Sequence, residues 1–422
     1  MASVDFEALR LVKGAPLPGW KRTLYVMVTA QLLSAVGFSM IFPFLPKYVE
    51  SLGSSFGLSI VFLAGAVFSA QAITMAIASP IWGALADRWG KKMMVERAMF
   101  GGSVIILLMA FSTSAEMLVG LRAVQGLITG TVAAANALVA STAPRERAGY
   151  AMGALQVGLW SGVAVGPLMG GFLADAFGYR TAFYFTAALL FAGGLLVMWG
   201  VAEDKALERP KAEQPSMVAE WRHVLATPGV GLIFFFRFMT WLGRNVLVPY
   251  LPLFIATLLV TEARVNTLTG LTIAVASGAG TLSAILLGPL GDRVGHKPVL
   301  LVCGVAATLF YIPQFWVTHI WQLLVLQALT GAAAGGIMPV LSALLNHFTE
   351  PGEEGAAFGF DNSVVSLSRA LAPMVGAVIV LWGGYRTLFL AASVLFGVTV
   401  LFAYWKLPEP QAAPIAEPAL GD

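Results

Sequence analysis

The chain has 422 residues, 58% of them hydrophobic and 11% charged, with a formal charge of +3. Soluble proteins carry about 25% charged residues, so this composition excludes an ordinary globular domain and points to a membrane protein. The charge is too small to imply nucleic acid, and the single Cys303, set in an apolar run, excludes an internal disulfide or a cysteine metal site.

Residues 1–19 are polar and mixed, without the apolar core of a signal peptide, so the first apolar run is expected to be retained. A membrane-crossing helix needs ~20 mostly apolar residues. Uncharged runs of that kind fall at 23–46, 57–86, 98–115, 148–174, 181–202, 265–291 and 387–405. The stretches 117–144, 224–261 and 355–385 qualify apart from one or two charges each. The run 298–346 carries only His319 and is long enough for two helices divided near Thr318–Trp321, whereas 57–86 reads as one tilted helix. The expected fold is all-α and integral to the membrane, with twelve transmembrane helices in two six-helix bundles, 23–202 and 224–406. A cytoplasmic segment 1–22, a charged connector 203–223 and a cytoplasmic tail 407–422 complete the chain.

Twelve spans put both termini on one side. Seventeen of the 25 Lys and Arg lie in the termini and the loops of that side. The opposite loops hold Lys47, Arg180, Arg264 and Arg386, and the spans hold Arg122, Arg237, Arg244 and Arg369. The excess of basic residues places the termini in the cytoplasm and the chain in the cell inner membrane.

The two bundles repeat one another. Gly83, Asp87, Arg88 and Gly90 return as Gly288, Asp292, Arg293 and Gly295, each offset by 205. Pro43-Phe-Leu-Pro46 answers Pro249-Tyr-Leu-Pro252, and Gly178-Tyr-Arg-Thr181 answers Gly384-Tyr-Arg-Thr387, both offset by 206. Spans 1–6 therefore correspond in order to spans 7–12, a parallel repeat whose substrate site belongs near the bilayer midplane between the halves.

Three motifs carry a family resemblance. Gly83-Ala-Leu-Ala-Asp87-Arg88-Trp-Gly90-Lys91-Lys92 resembles the loop signature between helices 2 and 3 of the major facilitator superfamily. Leu118-Val-Gly-Leu-Arg122-Ala-Val-Gln125-Gly126 resembles its helix 4 motif, and Gly162-Val-Ala-Val-Gly166-Pro167-Leu-Met-Gly170-Gly171 its helix 5 antiporter motif. With Phe42-Pro43-Phe-Leu-Pro46 and Ala135-Asn136, the chain is similar to the twelve-helix drug:proton antiporters, multidrug exporters of the MdtG type included. The resemblance spans nearly all of residues 18–406.

That resemblance implies roles. Gly83, Asp87, Arg88, Gly90 and Lys91, with Gly288, Asp292, Arg293 and Gly295, would form a conformational latch, Asp87 facing the positive N-terminus of helix 11. The competing reading is a solvated topology anchor. The motif arginine Arg122 is implicated in proton coupling, against a purely structural hydrogen-bonded role. Relatives often place an acid at the cytoplasmic end of helix 4, where this chain has none. Gly158, Gly162, Gly166 and Gly170 recur every fourth residue, a stripe suited to close helix packing or to a bend beside Pro167 that favours efflux.

Charges at bilayer depth cost about 2.5–3.5 kcal/mol each on insertion scales, so they must face a partner or a cavity. Helix 1 offers no acid between Thr23 and Phe42, which leaves Asp361 as the protonatable candidate. Its alternatives are capping helix 11 or pairing with an arginine, and Arg369, eight residues on, shares roughly its face. Gln31, Phe38, Arg237, Trp241, Arg244 and Arg369 are the candidate cavity residues. The expected activity is proton-coupled export of a small amphiphile by a monomer in the lipid bilayer, with no cofactor or metal. Alternatives are a carrier of an anionic metabolite or lipid on the same fold, or a non-transporting sensor. An enzyme is disfavoured, since the chain has no phosphate loop, His-Glu-x-x-His or nucleophile motif.

Overall fold

The computed structural model describes residues 19–201, 227, 229–349 and 354–407, with side chains throughout except at Ala84, Asp87, Arg88, Arg145 and 354–356. The expected connector 203–223, most of the segment 1–22 and nearly all of the tail 407–422 lie outside these residues. Among the described residues fifteen α-helices follow in order. The first eight are α1 Trp20–Met40, α2 Leu45–Leu52, α3 Ile60–Trp89, α4 Lys91–Met109, α5 Ala115–Ile128, α6 Thr131–Thr142, α7 Ala148–Phe177 and α8 Tyr179–Gly200. The second half adds α9 Val230–Asn245, α10 Leu251–Leu258, α11 Val265–Val294, α12 His296–Tyr311, α13 Ile320–Phe348, α14 Glu354–Gly383 and α15 Thr387–Lys406.

Ten stretches among the described residues are long and apolar enough to cross a membrane. The remaining two spans are α4, which opens with Lys91, Lys92, Glu96 and Arg97, and the split pair α9–α10. Twelve spans result, six per half. Three of them, expected as continuous, are broken. The first divides between α1 and α2 and the seventh between α9 and α10, with Pro46 and Pro252 in the first turn of the second piece. A proline lacks the N–H that a continuing helix would use, and its ring clashes with the preceding turn. The fourth span divides at Thr129–Gly130, where Gly130 adopts φ 147.

The sequence repeat is also a backbone repeat. Gly90 between α3 and α4 has φ 96, ψ 148, and Gly295 between α11 and α12 has φ 95, ψ 145. Only glycine enters that region without strain, so both junctions need it.

Within the first half, the glycine stripe of α7 lies against α1. A Cβ at Gly158 would stand 2.8 Å from the Val28 carbonyl, and one at Gly170 would collide with the Met40 carbonyl. In the second half Gly331 and Gly335 of α13 meet Ala276 and Gly280 of α11 in the same backbone-to-backbone way. Without a hydrophobic drive inside lipid, such close approach supplies the dispersion that joins helices.

The halves meet at the face away from the termini, here termed the far face. Gly171 of α7 abuts the backbone of Asn266 and Thr267, and Gly270 of α11 abuts that of Pro167 and Leu168. Gly65 of α3 fits against Pro373 of α14 and the hydroxyl of Tyr250, which donates to the Pro373 carbonyl at 2.6 Å. Lys47 of α2 bridges to Glu262 across the halves at 2.9 Å. Asp175, in the last turn of α7, takes Asn266 Nδ2 at 2.7 Å, and the N–H and hydroxyl of Thr267 at 2.7 and 2.6 Å. The α11 N-terminus receives no side-chain cap from its own Arg264, so the opposite half provides one. This conformation is closed at the far face.

Candidate functional site

Mid-depth polar groups gather differently in the two halves. In the first, one apolar cluster surrounds Phe44, Tyr48 and Phe183 and another surrounds Met94, Leu138 and Leu155. Between them in chain position lie the buried Gln31, Ser34, Arg122, Gln125, Thr129 and Thr131. Arg122 is 2% exposed, and its guanidinium is held by neutral acceptors. Nε donates to the Val67 carbonyl at 3.2 Å, Nη1 to Gln125 at 2.6 Å and Nη2 to Gln71 at 3.1 Å, with the Phe68 ring 5.7 Å away. Among the described residues no carboxylate touches it. Gln31 is buried with its Oε1 unpartnered, and Phe38 turns toward Gly102 of α4, inside the half. Its repeat counterpart of Arg122, Gln327, belongs to a neutral relay. Gln327 donates to Gln314 at 3.0 Å, which donates to Thr330 at 2.8 Å.

The second half contains an ion pair. Arg237 Nε meets Asp361 Oδ1 at 2.8 Å, and both side chains are under a tenth exposed. The same guanidinium donates to the Met338 carbonyl at 3.3 Å and to Ser342 Oγ at 2.9 Å, so α9, α13 and α14 converge on one charge. Of the alternatives open for Asp361, pairing with an arginine is the one seen, and Arg369 is not that arginine. Eight residues of helix separate them by ~12 Å along the axis, and the partner of Asp361 comes from another helix.

Arg244 and Arg369 behave otherwise. Their guanidinium carbons lie 5.8 and 4.7 Å from the ring of Trp241, and no hydrogen bond or ion pair engages either among the described residues. Arg369 stands half-way along α14 yet is exposed, on the stripe with Asn362 and Ser366. The exposed apolar stripe Leu367, Leu371, Val375 and Val378 lies on the opposite side of the same helix. The apolar side suits lipid, and the polar side with Arg369 faces away from lipid, toward the interior.

At the duplicated junctions, the side chains of Asp87 and Arg88 lie outside the described residues. Asp292 is 72% exposed, with His296 of its own junction at 3.8 Å as its ion-pair contact among the described residues, and Arg293 is exposed as well. Gly83 has open space around it. Lys91 opens α4 and Gly288 lies inside α11. The antiporter-motif residues Gly162, Gly166, Pro167, Gly170 and Gly171 divide their work. Gly162, Gly166 and Gly170 pack on α1, while Pro167 and Gly171 touch α11 of the other half.

Sequence reasoning missed Asp175 as a contact between halves and Met338 and Ser342 as partners of Arg237. A signal for Asp175 existed, because an acid in the last turn of its own helix opposes that helix's dipole and belongs to another N-terminus.

Two duplicated bundles of six membrane spans, closed at one face around buried mid-depth charges, define a multi-span membrane transporter and not an enzyme. The chain belongs to the Major Facilitator Superfamily, whose model matches residues 27–281 and again 233–422. It is 35% identical over 400 residues to the multidrug resistance protein MdtG of Serratia proteamaculans (strain 568), covering 93% of this chain and 96% of that protein. It is also 35% identical over 385 residues to MdtG of Enterobacter lignolyticus (strain SCF1), covering 90% and 91%. Among solved structures, a bacterial homologue of the human lysosomal transporter Spinster, inward-facing and occupied, aligns with TM-score 0.76 at 14% identity. That alignment covers 92% of this chain and 97% of the other.

Proposed function

We propose that this protein is a proton-coupled exporter of drug-like amphiphiles, working as a monomer by rocking its two halves about a central site. The multidrug resistance relatives, alike over nine-tenths of the chain, support the substrate class. The observation that carries the coupling is the buried Arg237–Asp361 pair. Asp361 holds Arg237 Nε as an ion pair, and a proton on Asp361 would leave at most a neutral hydrogen bond in its place. Protonation would loosen Arg237 from α14 and leave α9 and α13 freer to shift against it. The orientation with both termini cytoplasmic, in the inner membrane, rests on the lysine and arginine bias.

The far face is closed, and at the opposite junction the exposed Asp292 meets His296 of its own half at 3.8 Å, which fits a state in which the Asp292 latch is undone. In the alternate state Asp87 would cap the N-terminus of α14. Asp87→Asn should then lower transport while abundance and substrate affinity change little, and cysteine accessibility from each face should shift. Accessibility unchanged alongside lost transport would remove the latch role.

The decisive experiment uses the purified protein in liposomes under an imposed pH gradient. The parent protein should export an amphiphile uphill. Asp361→Asn should lose uphill export while retaining binding and downhill exchange, and its binding should no longer vary with pH. Uphill export persisting in Asp361→Asn would take Asp361 out of the coupling step. An inert parent protein would overturn the transport reading itself.

A further inference from the structure

Three arginines line one stripe of α9 and the facing part of α14, and they are not equivalent. Arg237 has its donors occupied by Asp361, Met338 and Ser342. Arg244, two turns further along α9, and Arg369 on α14 share one indole, that of Trp241, and have no described acceptor. Each guanidinium carries five N–H donors that cannot be discharged by deprotonation. An aromatic face steadies a cation from one side but accepts none of its in-plane hydrogen bonds. Two like charges held this close repel one another, and the carboxylate available at this depth, Asp361, is already bound to Arg237. Arg369 is exposed to the inner space, so an incoming group can reach it.

We infer that Arg244, Arg369 and Trp241 form a subsite for the compact oxyanion head of the exported compound, a carboxylate or sulfonate carried on an apolar body. The anion would supply acceptors for both planar forks and cancel their repulsion, and the apolar body would lie along the indole. Guanidinium is the suitable cation here, because its planar edge matches the two oxygens of a carboxylate. This proposal rests on the export reading and narrows it to acidic amphiphiles. It commits to the transported molecule as the source of the anion, not to a phospholipid head group.

The test measures binding to the purified protein in nanodiscs of zwitterionic lipid. The probes share one chain and differ in head: dodecyl sulfonate, dodecanamide and dodecyltrimethylammonium. The sulfonate should bind tightest. Arg244→Gln and Arg369→Gln should each weaken it about 10- to 100-fold, the loss of one charge-assisted bond, and change the amide less than about threefold. Arg244→Lys, which keeps the charge and guards against misfolding as the cause, should recover part of the loss. Trp241→Phe should weaken all three probes similarly. Equal losses for all three heads in the Arg→Gln variants would make the arginines structural and overturn the subsite. Displacement of the sulfonate by phosphatidylglycerol in the nanodisc would also overturn it, in favour of a lipid site. Gradient-driven export of a neutral amphiphile is measured separately. If it proceeds while the head-group preference is absent, the subsite alone fails; if it is absent while the preference holds, the export reading alone fails.

Discussion

The two halves share a backbone plan and differ in the chemistry at mid-depth. Gly90 and Gly295 take nearly the same dihedral angles, and the proline breaks after α1 and α9 fall at corresponding places. Between those joints the first half places one arginine among amides and a carbonyl, with no described acid. The second replaces that arginine by Gln327 and carries a buried ion pair and two arginines on an indole. Duplication kept what shapes the helices, and titratable chemistry concentrated on one side. On the proposed function, the first half would serve as the frame and the second as the part that couples to protons.

The strongest way to break this comparison is to unmake the pair. Removing one partner of a buried ion pair costs about 3–5 kcal/mol, so Asp361→Ala and Arg237→Ala should each lower thermal stability sharply in detergent. Replacing both together, Arg237→Met with Asp361→Leu, should recover most of it. If the double variant melts as low as the singles, the pair is not what holds α9 to α14.

A transplant comes next. Gln327→Arg gives the second half the arginine of the first, but the described acceptor beside it is Gln314 Oε1 alone, where Arg122 has three. The uncompensated charge should cost roughly 2.5–3.5 kcal/mol, read as a fall in melting temperature or in folded yield. A variant as stable as the parent would mean that the halves are interchangeable at this depth.

A smaller effect separates the shared joints from the site. Gly171→Ala sets a Cβ against the backbone of Asn266, and overpacking of this kind costs about 1–3 kcal/mol. It should shift the protein toward a far-open form, seen as faster thiol labelling of a cysteine placed at Thr267. Unchanged labelling would place the far-face closure elsewhere.

Smallest should be Asp175→Ala, which removes a helix cap worth about 0.5–2 kcal/mol. The expected change is the same far-side opening to a lesser degree, with substrate affinity kept. A stability loss without any change in labelling would make Asp175 a structural cap alone.

Much of this architecture can be read in the sequence, because membrane spans and repeats depend on local composition and fixed offsets. The twelve spans and the small-residue stripe of α7 are of that kind. Partnership is harder. Helical spacing says that Arg237 and Arg244 share a face, but it does not say which helix lies opposite. Pairing of Asp361 with an arginine is one of the alternatives open, but which arginine is not legible, and the partner is 124 positions away. The breaks in the first, fourth and seventh spans were also hidden, since a proline or glycine inside lipid is tolerated as often as it interrupts.

The attachment of Asp175 to α11 sits at the very end of a long rod. α7 runs for 30 residues without a break, with Asp175 and Gly171 near one tip. At 1.5 Å per residue the rod is ~45 Å long, so a tilt of ~10° about that tip sweeps the other end through roughly 8 Å. Its glycine stripe seats it closely on α1, where Ser39 Oγ donates to the Gly162 carbonyl at 3.1 Å, so α1 would travel with it. If the halves rock about this tip, where Asp175, Gly171 and Gly270 join them, a small angular change would open the other end by the width of a drug-sized molecule.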